Sequence, residues 1–173
     1  MYEKFYAIDT FIFDVDGVMT DGSILVTEAG ELLRAMNVRD GFALQYALQQ
    51  GFKIIVITGG NSQGVTFRLQ KLGIKQIYAG ISDKLSLLLE LQSKGYIDFN
   101  SCTYMGDDMP DLKAMQQVLL PAAPKNAISD ILAIAKFISS SDGGKGCVRE
   151  LIEKTLKVQG KWLISADVNA LSA

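Results

Sequence analysis

Residues 11–22 read Phe-Ile-Phe-Asp-Val-Asp-Gly-Val-Met-Thr-Asp-Gly, and this stretch decides how the chain is interpreted. A short apolar run ends at Asp14 and Asp16, which would point the same way if the strand stayed regular. Open α/β sheets bind ligands where their strands end, and two carboxylates that close favour a cation between them. The stretch therefore predicts a divalent metal site with one carboxylate left for chemistry. Taken alone, Asp-x-Asp-Gly also fits a strand followed by an acidic turn.

Strand-like and helix-like segments alternate along the rest of the chain. The first strand is predicted over Phe5–Phe13, and Lys53–Ile57 reads as a buried parallel strand. A helix is predicted over Gly41–Gln50, and Asn61 is the expected cap of the next one. The alternation predicts an α/β fold with a doubly wound, Rossmann-like parallel sheet.

One core domain is expected over residues 1–161, followed by a C-terminal tail over 162–173. A β-hairpin is predicted as an insertion at about residues 22–38, directly after the two aspartates. An insertion at this point would lie over the ligand-binding edge of the sheet.

The composition of the chain excludes several classes of binding partner and catalytic site. The chain has 173 residues with a net charge of −2, so it offers no broad basic surface for nucleic acid. No apolar stretch reaches the roughly 18 residues of a membrane span, and the N-terminus lacks a signal-peptide pattern, so the cytoplasm is the expected location. The absence of histidine excludes Ser-His and Cys-His nucleophile systems. Cys102 and Cys147 are expected to pack as small apolar groups.

Three further polar clusters fall at predicted strand ends. Thr58 precedes Gly59-Gly60, whose backbone N–H groups suit an anion, although a strand cap with a glycine turn explains the same residues. Lys84 lies at a helix start, where a lysine is unfavourable unless an anion occupies the same place; the alternative is an exposed surface lysine. The last cluster holds three carboxylates in five positions, namely Asp107, Asp108 and Asp111.

A helix cap accounts for one of these three carboxylates, Asp108 or Asp111, but not for all of them. Carboxylates with few neutral ligands suit Mg²⁺, which also takes phosphate oxygens as ligands. The whole set is typical of phosphoryl transfer through an aspartyl phosphate.

In this order, the motifs resemble those of the haloacid dehalogenase superfamily of Mg²⁺-dependent phosphatases. Within it, Asn-Val-Arg-Asp-Gly at 37–41 and Gly-Gly-Lys-Gly-Cys-Val-Arg-Glu at 143–150 resemble the 3-deoxy-D-manno-octulosonate 8-phosphate phosphatases. The similarity runs from about Phe5 to about Lys161. It implies the haloacid dehalogenase fold without a large cap domain.

The resemblance implies a role for each matching residue. Asp14 would be the nucleophile and a Mg²⁺ ligand. Asp16 would be the general acid and then the base, and its backbone carbonyl would bind the metal. Thr58 and Lys84 would hold the phosphoryl oxygens. Asp107 would complete the metal site, and the remaining two carboxylates would orient Lys84 or metal-bound waters: Asp108 and Asp111.

Substrate recognition is expected to involve the Gly59 backbone and a basic side chain. The octulosonate enzymes typically show arginine after the Thr-Gly pair, whereas this chain has Gly60. Arg68 and Lys71 share a helix face and match basic positions of these families; a solvated helix face is the alternative for both. Arg149 is a further candidate, with a salt bridge to Glu153 as its alternative.

The resemblance also implies a homotetramer in which the hairpin contacts neighbouring subunits and each active site is covered by another copy of the chain. The substrate it implies is a small sugar phosphate, namely a sugar-acid phosphate and first of all 3-deoxy-D-manno-octulosonate 8-phosphate, from lipopolysaccharide or cell-surface sugar synthesis. Other readings stay open: a nonulosonate (sialic-acid-like) 9-phosphate phosphatase, another small phosphate-ester phosphatase, a receiver-like phospho-acceptor domain, or a non-catalytic subunit of an assembly.

Overall fold

A computed structural model describes residues 1–162. Eight strands occur in this part of the chain: β1 (Thr10–Phe13), β2 (Leu25–Val26), β3 (Leu32–Leu33), β4 (Lys53–Ile57), β5 (Gln76–Tyr78), β6 (Cys102–Met105), β7 (Leu120–Ala123) and β8 (Phe137–Ile138). Seven α-helices accompany them: α1 (Tyr2–Ala7), α2 (Val38–Gln49), α3 (Gln63–Lys71), α4 (Lys84–Ser93), α5 (Met109–Met115), α6 (Ser129–Ile134) and α7 (Cys147–Val158).

Six of the strands form one parallel sheet in the order β5-β4-β1-β6-β7-β8. The predicted doubly wound α/β class is therefore confirmed. In the sheet Phe13, the last residue of β1, lies opposite Val56 of β4 and Met105 of β6. Because these three strands end almost level, the residues that follow them meet at one edge.

The sheet is covered on both faces. Phe11 and Phe13 of β1 belong to one buried cluster, which includes Tyr46 of α2 and Leu151 of α7. Ile12 belongs to the cluster on the other face, with α4 and α5. A strand buried on both faces is continuously apolar, which is why the residues before Asp14 show no polar alternation.

The predicted first strand over Phe5–Phe13 is wrong in its first half. Residues Tyr2–Ala7 form α1, and β1 begins only at Thr10. Phe5 and Ile8 are buried in the same cluster while Tyr6 is exposed, a spacing of three that fits a helical turn. The predicted cap of α3 is also displaced by one residue, because the Ser62 side chain, and not Asn61, accepts the hydrogen bond of the Val65 N–H.

The insertion is a two-stranded antiparallel hairpin formed by β2 and β3, separate from the main sheet. Its strands contain two residues each. Its apolar side chains point into solvent in the single chain, with Leu25 at 67% exposure and Leu32 at 50%.

Most of the predicted C-terminal tail lies outside the described residues. Trp162, where that tail was expected to begin, packs edge-on against Tyr46 at 5.4 Å between ring centroids. Among the described residues, no helix is both long and apolar enough to cross a membrane.

Candidate active site

The loop after β1 is wound tightly around one carbonyl. The Val15 carbonyl accepts hydrogen bonds from the N–H groups of Val18, Met19 and Thr20. Gly17 has a φ of 85°, and a Cβ there would lie 1.9 Å from Asp107 Oδ2. Only glycine allows the loop to pass this close to the end of β6.

Lys84 joins two of the carboxylates predicted from the sequence. Its Nζ lies 2.9 Å from Asp14 Oδ1 and 2.7 Å from Asp111 Oδ1, and its side chain is only 3% exposed. Lys84 is the first residue of α4, where the helix dipole disfavours a cation. The two carboxylates are the anions that make this position favourable, so the alternative of an exposed surface lysine is wrong.

Asp111 is fully engaged by its neighbours. Its Oδ1 accepts from the Tyr104 hydroxyl at 2.8 Å as well as from Lys84, and its Oδ2 accepts from the Asp107 N–H at 3.3 Å. Tyr104 is buried within β6, directly behind the site. Tyr104 and Asp111 therefore form a fixed support that holds the Lys84 ammonium next to Asp14.

The charged groups of this cluster shift one another's pKa values. Burial and the nearby Asp111 raise the pKa of Asp14 to about 6. Burial, Asp14 and Asp111 raise the pKa of Asp107 to about 7. Burial alone would lower the pKa of Lys84, but Asp111 and Asp14 outweigh it and the net shift is upward. The lysine stays charged, and the site still carries an excess of carboxylate.

That excess fits a cation of the Mg²⁺ class. One oxygen from each of Asp14, Asp107 and Asp111 lies within 4.8 Å of the others. Asp107 Oδ1 is buried without a hydrogen-bond partner, which is costly for a carboxylate unless another group binds it. Since the oxygens of Asp111 already accept three hydrogen bonds, Asp14 and Asp107 are the carboxylates best able to hold a metal.

Asp16 is held by an arginine that the sequence analysis did not single out. Arg34 Nε donates to Asp16 Oδ1 at 2.7 Å and Arg34 Nη2 donates to Asp16 Oδ2 at 3.2 Å. These hydrogen bonds raise the pKa of Arg34. Arg34 follows β3 directly, so the hairpin contributes a side chain to the edge of the site.

A cavity of about 400 Å³ collects these groups at the carboxyl edge of the sheet. Thr58 and Gly59 line it where β4 ends, and the Thr58 hydroxyl accepts the Gly60 N–H at 3.1 Å. Asp108 also lines the cavity and caps α5 by accepting from the Met109 N–H at 2.7 Å. The helix cap foreseen in the acidic loop is thus Asp108, which leaves Asp111 for Lys84.

The basic residues expected to bind substrate lie away from this cavity in the single chain. Arg68 lines a separate groove beside the hairpin, and Lys71 places its ammonium over the Phe67 ring at 5.4 Å. Arg149 Nε pairs with Glu153 at 3.2 Å, which is the alternative considered for it. Their roles in binding a substrate stay predictions.

A glycine turn late in the chain supports the loop that carries Asp14. The Gly144 N–H donates to the Val18 carbonyl at 2.8 Å, and a Cβ on Gly143 would lie 1.9 Å from the Gly17 carbonyl oxygen. Asn37 Nδ2 donates to the Gly144 carbonyl at 3.1 Å and so connects the turn to α2. The glycine-rich stretch at 143–146 was the only sequence signal for this support.

Comparison with known proteins agrees with the site. Residues 73–151 match the model of the haloacid dehalogenase-like hydrolases. The 3-deoxy-D-manno-octulosonate 8-phosphate phosphatase KdsC of Escherichia coli K12 is 38% identical over 154 residues, covering 89% of this chain and 82% of the relative.

Two crystal structures of such phosphatases share the fold. That of Moraxella catarrhalis, in complex with magnesium ion, phosphate ion and a KDO molecule, has a TM-score of 0.88 and 36% identity. The alignment covers 99% of this chain and 95% of the other. That of Yersinia pestis has a TM-score of 0.89 and 36% identity, covering 92% and 86%. Identity at this level over nearly the whole length places the chain in one family with these proteins. The chain belongs to the haloacid dehalogenase-like hydrolases, in the family of the 3-deoxy-D-manno-octulosonate 8-phosphate phosphatases.

Proposed function

We propose that this protein is a Mg²⁺-dependent phosphatase that hydrolyses a sugar-acid phosphate, 3-deoxy-D-manno-octulosonate 8-phosphate, through an aspartyl phosphate. One observation carries the proposal: the Lys84 ammonium bridges Asp14 and Asp111 beside the unpartnered Asp107 oxygen. The similar proteins are phosphatases of this substrate, and the cavity at the carboxyl edge of the sheet supports a site for its phosphate.

In this proposal Asp14 is the nucleophile. Its carboxylate oxygen attacks phosphorus, the bond from phosphorus to the sugar oxygen breaks, and the phosphoryl group stays on Asp14. Attack by an anion on a phosphate dianion is opposed by charge, which the Lys84 ammonium offsets. Thr58 and the N–H groups near Gly59 would hold the phosphoryl oxygens, which is supported by the position of both residues along the cavity.

Asp16 serves as the acid and the base. It gives a proton to the departing sugar oxygen and then takes one from the water that cleaves the aspartyl phosphate. General acid help of this kind contributes roughly 10²–10⁴-fold to the rate. The step needs Asp16 to be fixed with one oxygen towards the leaving group.

In this proposal a metal ion would be bound by Asp14, Asp107 and the backbone carbonyl of Asp16. When bound there, Mg²⁺ supplies charge neutralisation for the phosphoryl oxygens. The cluster geometry and the buried oxygen of Asp107 support this assignment. Asp111, and Asp108 at the helix cap, would then orient Lys84 and the waters of the metal.

We place the protein in the cytoplasm as a homotetramer that acts in the synthesis of a cell-surface sugar. The exposed leucines of the hairpin support an assembly, because Leu25, Leu32 and Leu33 would otherwise form an apolar patch in water. In such an assembly Arg68, Lys71 or Arg149 would meet a substrate carboxylate across a subunit boundary.

The test is steady-state turnover of a panel of phosphates, with Mg²⁺ and with EDTA. The panel holds 3-deoxy-D-manno-octulosonate 8-phosphate, a nonulosonate 9-phosphate and 4-nitrophenyl phosphate. We expect Mg²⁺-dependent release of phosphate, fastest from the octulosonate. Faster turnover of the nonulosonate would reassign the substrate and keep the reaction. Stable phosphorylation without turnover would make the protein a phospho-acceptor domain.

A further inference from the structure

The guanidinium of Arg34, a residue of the hairpin insertion, is buried against Asp16. Its side chain is 7% exposed, while that of Asp16, which lines the cavity, is 33% exposed. Two of its nitrogens hold the two carboxylate oxygens, and the third, Nη1, donates to the Leu32 carbonyl at 3.1 Å. Such a two-pronged pair fixes the direction of a carboxylate as well as its charge.

The backbone around this pair leaves space for it. A Cβ on Gly60 would lie 3.3 Å from Asp16 Oδ2, 3.4 Å from Arg34 Nη2 and 3.5 Å from Thr58 Oγ1. Any side chain at position 60 would press on the guanidinium or the carboxylate. Arg34 and Gly60 are therefore two parts of one arrangement around Asp16.

The two hydrogen bonds reach different oxygens of the Asp16 carboxylate. Oδ1 is held at 2.7 Å by Nε and Oδ2 at 3.2 Å by Nη2, and Asp16 and Thr58 both line the cavity. A protonated carboxyl still accepts a hydrogen bond at its other oxygen. The bond from Nε to Oδ1 can thus persist while Oδ2 carries the proton for the leaving group.

Stability alone does not account for this pair. An ion pair with one partly exposed partner contributes little net stability, because desolvation and solvent screening offset the attraction. General acid catalysis, in contrast, depends on the orientation of the acid, and a displacement of about 1 Å can cost roughly 10²-fold.

We propose that Arg34 is a positioning residue for Asp16, through which the hairpin controls protonation of the leaving group. The inference rests on the proposed phosphatase function and adds to it a residue of the chain's own hairpin. When the bond from phosphorus to the ester oxygen breaks, its electron pair takes the proton of Asp16. A basic oxygen needs that proton, while 4-nitrophenolate leaves without it.

The experiment measures kcat/KM, which reports steps up to the loss of the leaving group, for R34M, R34K and D16N. R39M is the matched control, because Arg39 is an exposed arginine near the hairpin. The substrates are 3-deoxy-D-manno-octulosonate 8-phosphate and a series of phenyl phosphates from 4-nitrophenyl to unsubstituted phenyl. The series varies the basicity of the leaving group and contains no carboxylate.

We expect R34M to lower kcat/KM roughly 10- to 100-fold for the octulosonate and for phenyl phosphate, with almost no loss for 4-nitrophenyl phosphate. R34K should recover part of the loss, R39M should behave as wild type, and R34M should add nothing in the D16N background. Thermal melting checks that each variant is folded.

Two outcomes overturn the inference while the proposed function stands. An equal loss of kcat/KM on every substrate would mean that Arg34 is a structural residue. A loss confined to the octulosonate would mean that Arg34 binds the substrate carboxylate. A wild-type protein that hydrolyses none of the substrates would overturn the proposed function, and this inference with it.

Discussion

Replacing Asp107 by asparagine removes a partly buried carboxylate with little change of shape. Asp107 Oδ1 is buried without a hydrogen-bond partner, and the pKa of the group is raised from 3.8 to about 7. A carboxyl with a raised pKa binds its proton more tightly when folded than when unfolded. It therefore costs no stability while protonated in both states and destabilises the fold increasingly as the pH rises towards 7.

The size of the effect follows from the shift. About 3 pKa units at about 1.36 kcal/mol each give roughly 4 kcal/mol above pH 7, and about two thirds of this falls between pH 5 and pH 7. Since Asp107 is only partly buried, solvent screening reduces the value. We expect D107N to stabilise the metal-free protein by about 1–2 kcal/mol more at pH 8 than at pH 5.

Urea unfolding in EDTA at the two pH values measures this difference. The same titration with saturating Mg²⁺ is the complement: wild type should gain stability at pH 8, because the cation takes the place of the proton, and D107N should gain much less. Equal effects of D107N at pH 5 and pH 8 would refute the electrostatic reasoning. An undiminished gain from Mg²⁺ in D107N would remove Asp107 from the metal site.

Three further expectations follow from the site and the hairpin. D14N should abolish turnover, measured as phosphate release, and leave the circular dichroism spectrum unchanged; a loss below about tenfold would remove Asp14 from the nucleophile role. Y104F deletes a buried hydrogen bond to a carboxylate and should lower the free energy of unfolding by about 1–3 kcal/mol in urea titration. The value of kcat should also fall, because Asp111 would then position Lys84 less firmly. An unchanged kcat would show that Tyr104 does not support the site. L25K places a charge in the exposed patch of the hairpin and should give monomers by light scattering; a wild-type monomer would contradict the proposed assembly.

The convergence of the polar clusters was predictable because it depends only on local patterns. Each cluster follows an apolar run or opens a helix, and parallel strands end at a common edge of their sheet. For that reason Asp14, Thr58 and Asp107 were expected together, and the structure places all three along the same cavity. The layered α/β class followed from the same alternation of strands and helices.

Other features depend on contacts that no local pattern specifies. The turn of helix at Tyr2–Ala7 looked like strand because its apolar residues continue into β1, and only the packing of Phe5 on Phe137 separates the two. Arg34 resembled any polar residue of a hairpin. Its partner Asp16 is 18 residues away, and only the fold of the hairpin over Gly60 brings them together.

The sequence by itself determined the class of fold and the kind of chemistry, because periodicity sets the strands and residue type sets which groups can bind a cation and a phosphate. Only the tertiary structure decided which partner each of those groups binds. Asp111 is committed to Lys84 and Tyr104, Asp107 keeps a free oxygen, and Asp16 is held by the hairpin. The physical reason is that hydrogen bonds a few ångströms long depend on the packing of distant segments, which periodicity and residue type do not encode.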